Sequence, residues 1–238
     1  MGERTDRRAT RVSGPRRAGR ASGPRWDATA TRQALLQAGA ELFAERGFDG
    51  VPIDELAARA GVNKALISYH FRGKRGLYLA ILESAFAALA ERLKAVEADA
   101  SSARDTLRAF LQTFERFARE RPGFPTLFMR EVLASGIDAA VLPQLLEIIG
   151  FSRRLAERGA REGLFRRVDP VLLHLALVGS LIFFFATEPA RRKAAAQARV
   201  GFVLPDAKAF LRYLEGLTLR GLAPQNPPSR LRRQGARA

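Results

Sequence analysis

At 238 residues, with 47% hydrophobic side chains, the chain is long enough to bury a sizeable core as one large or two small domains. It has no cysteine, which excludes a disulfide scaffold, a thiolate metal site and a catalytic thiol. Its net charge of +16 suits a polyanionic partner, although charge alone does not separate nucleic acid from an anionic membrane surface.

That charge is uneven along the chain. Residues 1–25 hold eight arginines against two acids, and residues 223–238 hold four arginines and no acid. The remaining body is only moderately basic. Val12 is the only large aliphatic residue in the first stretch, so 1–25 is expected to be a disordered basic arm and 223–238 a disordered basic tail. The paired arginines at Arg7-Arg8 and Arg16-Arg17 are not followed by the apolar run of an export signal.

A first helix is expected from about Ala28–Thr31, capped by Asp27 or Thr29, with Leu35, Ala38, Leu42 and Phe43 as its apolar stripe. Gly47 should end it in an αL cap, with Phe48 folding back over the last turn. Pro52 suits the first position of the next helix, and Asp54 and Glu55 face its positive end.

Residues 51–71 contain two short helical periods broken by a glycine. Ile53, Leu56, Ala57 and Ala60 form one face, and Val62, Leu66, Ile67 and Phe71 form another. Gly61 sits where a tight turn needs positive φ, Asn63 offers a capping oxygen, and small Ala57 precedes the glycine by four positions. This is the spacing of a helix-turn-helix. From Gly61 to Arg75 there are four basic residues (Lys64, Arg72, Lys74, Arg75) and no acid. A plain helical hairpin would share the apolar pattern, but glycine, cap and basic second helix together favour DNA binding.

After a short turn at Arg72-Gly73, the recurrence of Tyr78, Ile81, Leu82, Ala85, Phe86, Leu89, Leu93 and Val96 predicts one long helix from Lys74 to about Asp99. Ser101/Ser102 open another, carrying Leu107, Phe110, Leu111, Phe114 and Phe117, and Arg121-Pro122-Gly123 closes it. A short apolar helix over 124–134 is interrupted by Arg130-Glu131. Pro143 opens one that closes around Gly163, and Pro205–Leu222 forms the last. No run alternates as a strand, so the chain is expected to be all-α.

Between them, Val171–Ala186 is apolar apart from His174. Sixteen residues span about 24 Å, short of the roughly 30 Å of a bilayer core. An apolar helix of this kind in a chain without a membrane span is expected to be covered by its own domain and by a second subunit. His174 is read as a core or interface residue.

An enzyme lacks its parts here: two distant histidines, no thiol, no phosphate-binding glycine loop and no partnered carboxylate pair. No cofactor and no metal site are expected.

The block from Ala38-Gly39-Ala40-Glu41-Leu42-Phe43-Ala44-Glu45-Arg46-Gly47-Phe48, through Leu56-Ala57 and Ala60-Gly61-Val62, to Tyr69-His70-Phe71-Arg72-Gly73-Lys74 resembles the TetR/AcrR family of transcriptional regulators. The resemblance is strongest over residues 32–82. It implies an N-terminal three-helix helix-turn-helix DNA-binding domain at 26–73, followed by a larger helical-bundle ligand-binding and dimerisation domain at 74–222. It also implies a cytoplasmic homodimer, paired through helices near 170–187 and 205–222, that holds a palindromic operator in double-stranded DNA. A small apolar effector would release that operator, as in a repressor.

Mapped onto this chain, the resemblance puts Lys64, Ala65, Leu66, Ser68 and Tyr69 on the recognition helix, Asn63 at its cap, and His70 and Lys74 beside phosphate. Leu66 and Ser68 stand where the family often has Thr and Tyr, so two usual polar contacts are altered. Phe110, Phe114, Phe117, Phe124, Phe128, Met129 and Phe151 are candidates for the effector lining. Arg130 and Glu131 are read either as a structural ion pair or as polar anchors for the ligand. The alternative function is a basic helical adaptor for nucleic acid or an anionic membrane surface, without effector control.

Overall fold

In a computed structural model, the structure describes residues 27–134, 136–198 and 203–224. The expected basic arm and nearly all of the basic tail lie outside them. Among the described residues there are eleven α-helices and no strand, so the all-α expectation holds.

Helix α1 (Ala28–Arg46) starts at Asp27, whose carboxylate accepts the amides of Thr29 and Ala30. It ends at Gly47, but with φ 74° and ψ 176° rather than in the expected αL geometry. Phe48 still folds back, stacking on Phe43 with ring centroids 5.9 Å apart. Helix α2 (Ile53–Ala60) begins one residue later than expected. Pro52 is the residue before it and accepts the amides of Glu55 and Leu56 through its carbonyl. Helix α3 (Ala65–Phe71) then leads into α4 (Lys74–Asp99), which has the bounds its apolar spacing predicts.

Helix α4 is the axis of the molecule. Its 26 residues run about 39 Å at about 1.5 Å per residue. Its N-terminal half packs on α1 and α3, and the rest on α5 (Ala103–Glu120), α6 (Phe124–Ala134) and α7 (Leu142–Arg161). Leu77, Ile81, Leu82, Phe86, Leu89 and Leu93 are all buried along it. Burying each such side chain stabilises by roughly 1.5–3 kcal/mol, so α4 is held rigid along most of its length.

The long apolar run is not one regular helix. It divides into α8 (Pro170–His174), a π-helical turn over Leu175–Gly179, and α9 (Ser180–Ala186). Helix α10 (Glu188–Ala198) follows, and α11 (Ala207–Leu222) packs on α5. Among the described residues no single helix is long and apolar enough to cross a membrane. The apolar run joins α10 only through a bend of 51°.

Candidate nucleic-acid interface and effector cavity

Gly61 ends α2 in the left-handed region, with φ 67° and ψ 30°, and its amide donates to the carbonyls of Ala57 and Ala58. The amide of Val62 donates to Ala57 as well, at 3.0 Å, which closes the turn. The Asn63 carboxamide oxygen accepts the Ala65 amide at 2.9 Å, the cap that the sequence suggests. On α3, Ile67 and Phe71 point into the core. Lys64, Ala65, Ser68 and Tyr69 are left exposed on the opposite side, Tyr69 with 77% of its surface open. Leu66 is different: it is half-buried and packs against the core rather than standing clear of it.

Two cations of this face already have neighbours. Lys64 Nζ lies 3.0 Å from Asp54, a pair with 65% and 71% of the side chains exposed. Lys74 Nζ sits 4.5 Å from the centre of the Phe48 ring, a cation–π contact that fixes the ammonium at the start of α4. His70 is half-buried and meets the Tyr69 ring edge-on at 5.0 Å.

The joint from α3 to α4 is tight. Arg72 adopts φ 59° as a non-glycine residue, and Gly73 follows at φ 111°. At Gly76 a Cβ would lie 1.7 Å from the Phe71 carbonyl oxygen, so only glycine allows α4 to start this close to α3.

One residue away from that joint, Arg75 reaches sideways. Its guanidinium donates to Glu131 of α6 at 2.9 and 3.3 Å and to Asp138 at 3.0 Å. Glu131 has only 3% of its surface exposed. Burial, and then the Glu131 carboxylate, push the phenol of Tyr78 well above its ordinary pKa. Glu131 is therefore paired, but with Arg75. The ion-pair reading holds for Glu131 with a different partner, while Arg130 is exposed and does not bond Glu131.

The aromatic candidates for an effector lining are a packed core. Phe110, Phe114, Phe117 and Phe151 are buried, and Phe110 lies 5.2 Å from Phe151 and 6.4 Å from Phe114. Phe128 and Met129 are half-buried against the same core. A cleft of about 380 Å³ with a mixed polar and apolar lining lies elsewhere, between α1, α4 and the turn joining α5 to α6. Among the aromatic candidates only Phe124 lines it; Phe110, Phe114, Phe117, Phe128, Met129, Arg130 and Phe151 do not.

Residues 35–81, which run from the first helix through the recognition helix into α4, match the family model described as "Bacterial regulatory proteins, tetR family". The chain belongs to the tetR family. It is 28% identical over 201 residues to the HTH-type transcriptional repressor NicS of Pseudomonas putida, covering 82% of this chain and 93% of that one. It is 32% identical to the HTH-type transcriptional activator FasR of Mycolicibacterium smegmatis, over 46% of this chain and 50% of that one. Its fold matches that of the transcriptional regulator FadR from Bacillus subtilis, solved in complex with stearoyl-CoA, with a TM-score of 0.67. That likeness, at 15% identity, spans 80% of this chain and 98% of that one and speaks for the fold.

As a tetR-family member, the chain is a DNA-binding transcriptional regulator, and its all-helical body carries an open apolar face. Val171, Leu172, Leu175 and Phe183 are exposed on α8, the π turn and α9, beside exposed Tyr213 and Leu217 on α11. The two elements are joined by Phe184 stacking on Phe210 at 4.0 Å. The other side of the run, including Leu173, Leu177 and Leu181, is in the core. His174 belongs to that inner side, where its Nδ1 lies 3.1 Å from the Ser152 hydroxyl and burial lowers its pKa.

Several of these residues give no signal in the sequence. Arg75 reads as one more basic residue of the recognition region, and its partner lies 56 positions away. Glu162 caps α5 from a distance, accepting the Ala103 amide at 2.7 Å.

Proposed function

We propose that this tetR-family regulator is a homodimeric repressor that holds a palindromic operator and releases it when a small apolar effector binds. Residues 26–73 would contact DNA, and 74–222 would carry the effector and the dimer interface. Lys64, Ala65, Ser68 and Tyr69 would enter the major groove, while Asn63, His70 and Lys74 would position the helix against phosphate.

The observation that carries this reading is the joint after α3. Recognition helix and α4 meet with no room for a side chain at Gly76, and Arg75 ties the same spot to α6. A change in the effector body that tilts α4 must therefore move the recognition helix with it. The open apolar face on α8, α9 and α11 would pair two copies, so that one tilt changes the distance between two recognition helices. Half-sites about 34–36 Å apart tolerate little change in that distance.

Footprinting of the full-length protein on the DNA upstream of its own gene tests this reading. Two protected half-sites centred about one helical turn apart are expected. Tyr69→Ala should weaken that protection at least tenfold while leaving the melting temperature unchanged. Binding to all duplexes with equal affinity would instead favour the basic adaptor.

A further inference from the structure

The cleft between the DNA-binding helices and the body is lined on one side by Leu36 and Ala40 of α1, and on the other by Ile81, Phe124 and Leu127. At about 380 Å³ it lies at the small end of the range for small-molecule sites, about 300–1,000 Å³. Its polar lining comes from Gln33, Gln37 and Glu41 of α1, Ser84 of α4, and Glu120 and Arg121 where α5 ends.

The charge at that edge does not balance. The Phe117 ring carries two guanidinium groups, Arg92 at 5.6 Å and Arg121 at 5.2 Å from its centre. Arg92 is paired with Glu120. Arg121 has no carboxylate partner among the described residues, although it is half-buried. Its burial, and then the nearby Arg92, lower its pKa, against a smaller opposing effect of Glu120. Glu41, the other acid on the cleft, is already held by Arg59 at 3.0 Å. A half-buried cation with no salt-bridge partner, beside the apolar part of a slot, is stabilised by an anion that brings its own apolar body.

We infer that this cleft binds a small monocarboxylate with an apolar body, the carboxylate on Arg121 and the body between α1, α4 and α6. One guanidinium presents a planar pair of donors, which matches one carboxylate. The slot also lies beside a close contact between the two parts of the molecule. At Gly123 a Cβ would meet the Ala44 Cβ at 2.7 Å and the Ala40 carbonyl at 3.2 Å. A ligand seated there presses on α1 as well as on the α5–α6 turn. The consequence for DNA rests on the effector-responsive reading; the binding itself does not.

The test is calorimetric titration of the full-length protein with sodium octanoate and with sodium 4-phenylbutyrate, using octan-1-ol as the uncharged control. Saturable binding of at least one carboxylate at millimolar concentration or below is expected. Arg121→Gln should weaken it about tenfold or more, Arg121→Lys less, with octan-1-ol unaffected by either change. Ala40→Leu, which narrows the slot, should weaken carboxylate and alcohol together. Absence of binding by both carboxylates, or equal affinity in wild type and Arg121→Gln, overturns the inference. Operator binding is then followed with the bound carboxylate present. If the carboxylate binds through Arg121 but leaves operator affinity unchanged, the site stands and effector control through it fails.

Discussion

Glu131 shows how one side chain can connect two functions. It is a buried carboxylate on α6 whose partner, Arg75, stands three residues beyond the C-terminal cap of the recognition helix. Arg75 is 41% exposed and keeps part of its hydration, so losing Glu131 should cost less than breaking a fully buried pair. Glu131→Gln is expected to lower stability by about 1–3 kcal/mol in urea unfolding. It should also alter operator affinity, although residue 131 lies outside the DNA-facing surface. His174 makes a prediction with a definite sign. Burial lowers its folded-state pKa, so the unfolded chain takes up a proton more readily. Stability should be unaffected by this residue above about pH 6.5 and fall below it, by up to about 1.4 kcal/mol per pH unit. Unfolding measured between pH 5 and 8 should show that slope, and His174→Gln should flatten it.

Among the elements, the joint between α3 and α4 gives the clearest test. Replacing a helical glycine by alanine normally stabilises a helix by about 1 kcal/mol. At Gly76 the sign should reverse, because the new methyl would meet a backbone carbonyl at 1.7 Å. Gly76→Ala is expected to lower the melting temperature and to reduce operator affinity more than Tyr69→Ala does. An unchanged melting temperature would mean that α4 can move off α3 without cost.

The elements also show where the sequence stops being informative. Helix α4 is readable to its ends because large apolar residues recur along it every three or four positions. Helix α10 is not, since Glu188–Ala198 has only alanine and proline as apolar residues and no stripe to read. The π turn is hidden for the opposite reason: every residue of Leu175–Gly179 is apolar or glycine, so a shift from four- to five-residue bonding leaves no trace. The phenylalanines of α5 and α7 were legible as neighbours, but an aromatic residue lining a hole and one filling it look alike in sequence. The cleft was invisible because it is assembled from α1, α4 and the α5–α6 turn, far apart in the chain. The turn glycine and cap of the DNA-facing unit were legible because their signals lie within a few residues of each other.

For the whole molecule, the decisive surface is the apolar face shared by α8, α9 and α11. Phe183 stands 60% exposed there, the residue before Phe184 of the Phe184–Phe210 stack. An exposed apolar patch of this kind marks an interaction surface. Phe183→Arg should convert the protein to a monomer in sedimentation velocity at micromolar concentration and reduce operator affinity by at least a hundredfold. The monomer should keep its helical content, because the side chain contributes little to its own core. A variant that remains dimeric would place the interface elsewhere.

The exposed pair between Lys64 and Asp54 bears on how such a molecule searches DNA. An ion pair this open holds its charges together by no more than about 1 kcal/mol, so a well-placed acceptor on the DNA can displace the carboxylate. Until it does, Lys64 recruits no chloride and brings no net charge to a passing duplex. The pair acts as a muzzle on the most forward cation of the recognition helix, removed only where the fit is close enough for Asp54 to be left behind. Asp54→Asn should therefore bind random DNA more tightly and steepen the salt dependence by about one ion, since each neutralised phosphate adds about 0.9 to the slope. The regulator would gain grip and lose discrimination together.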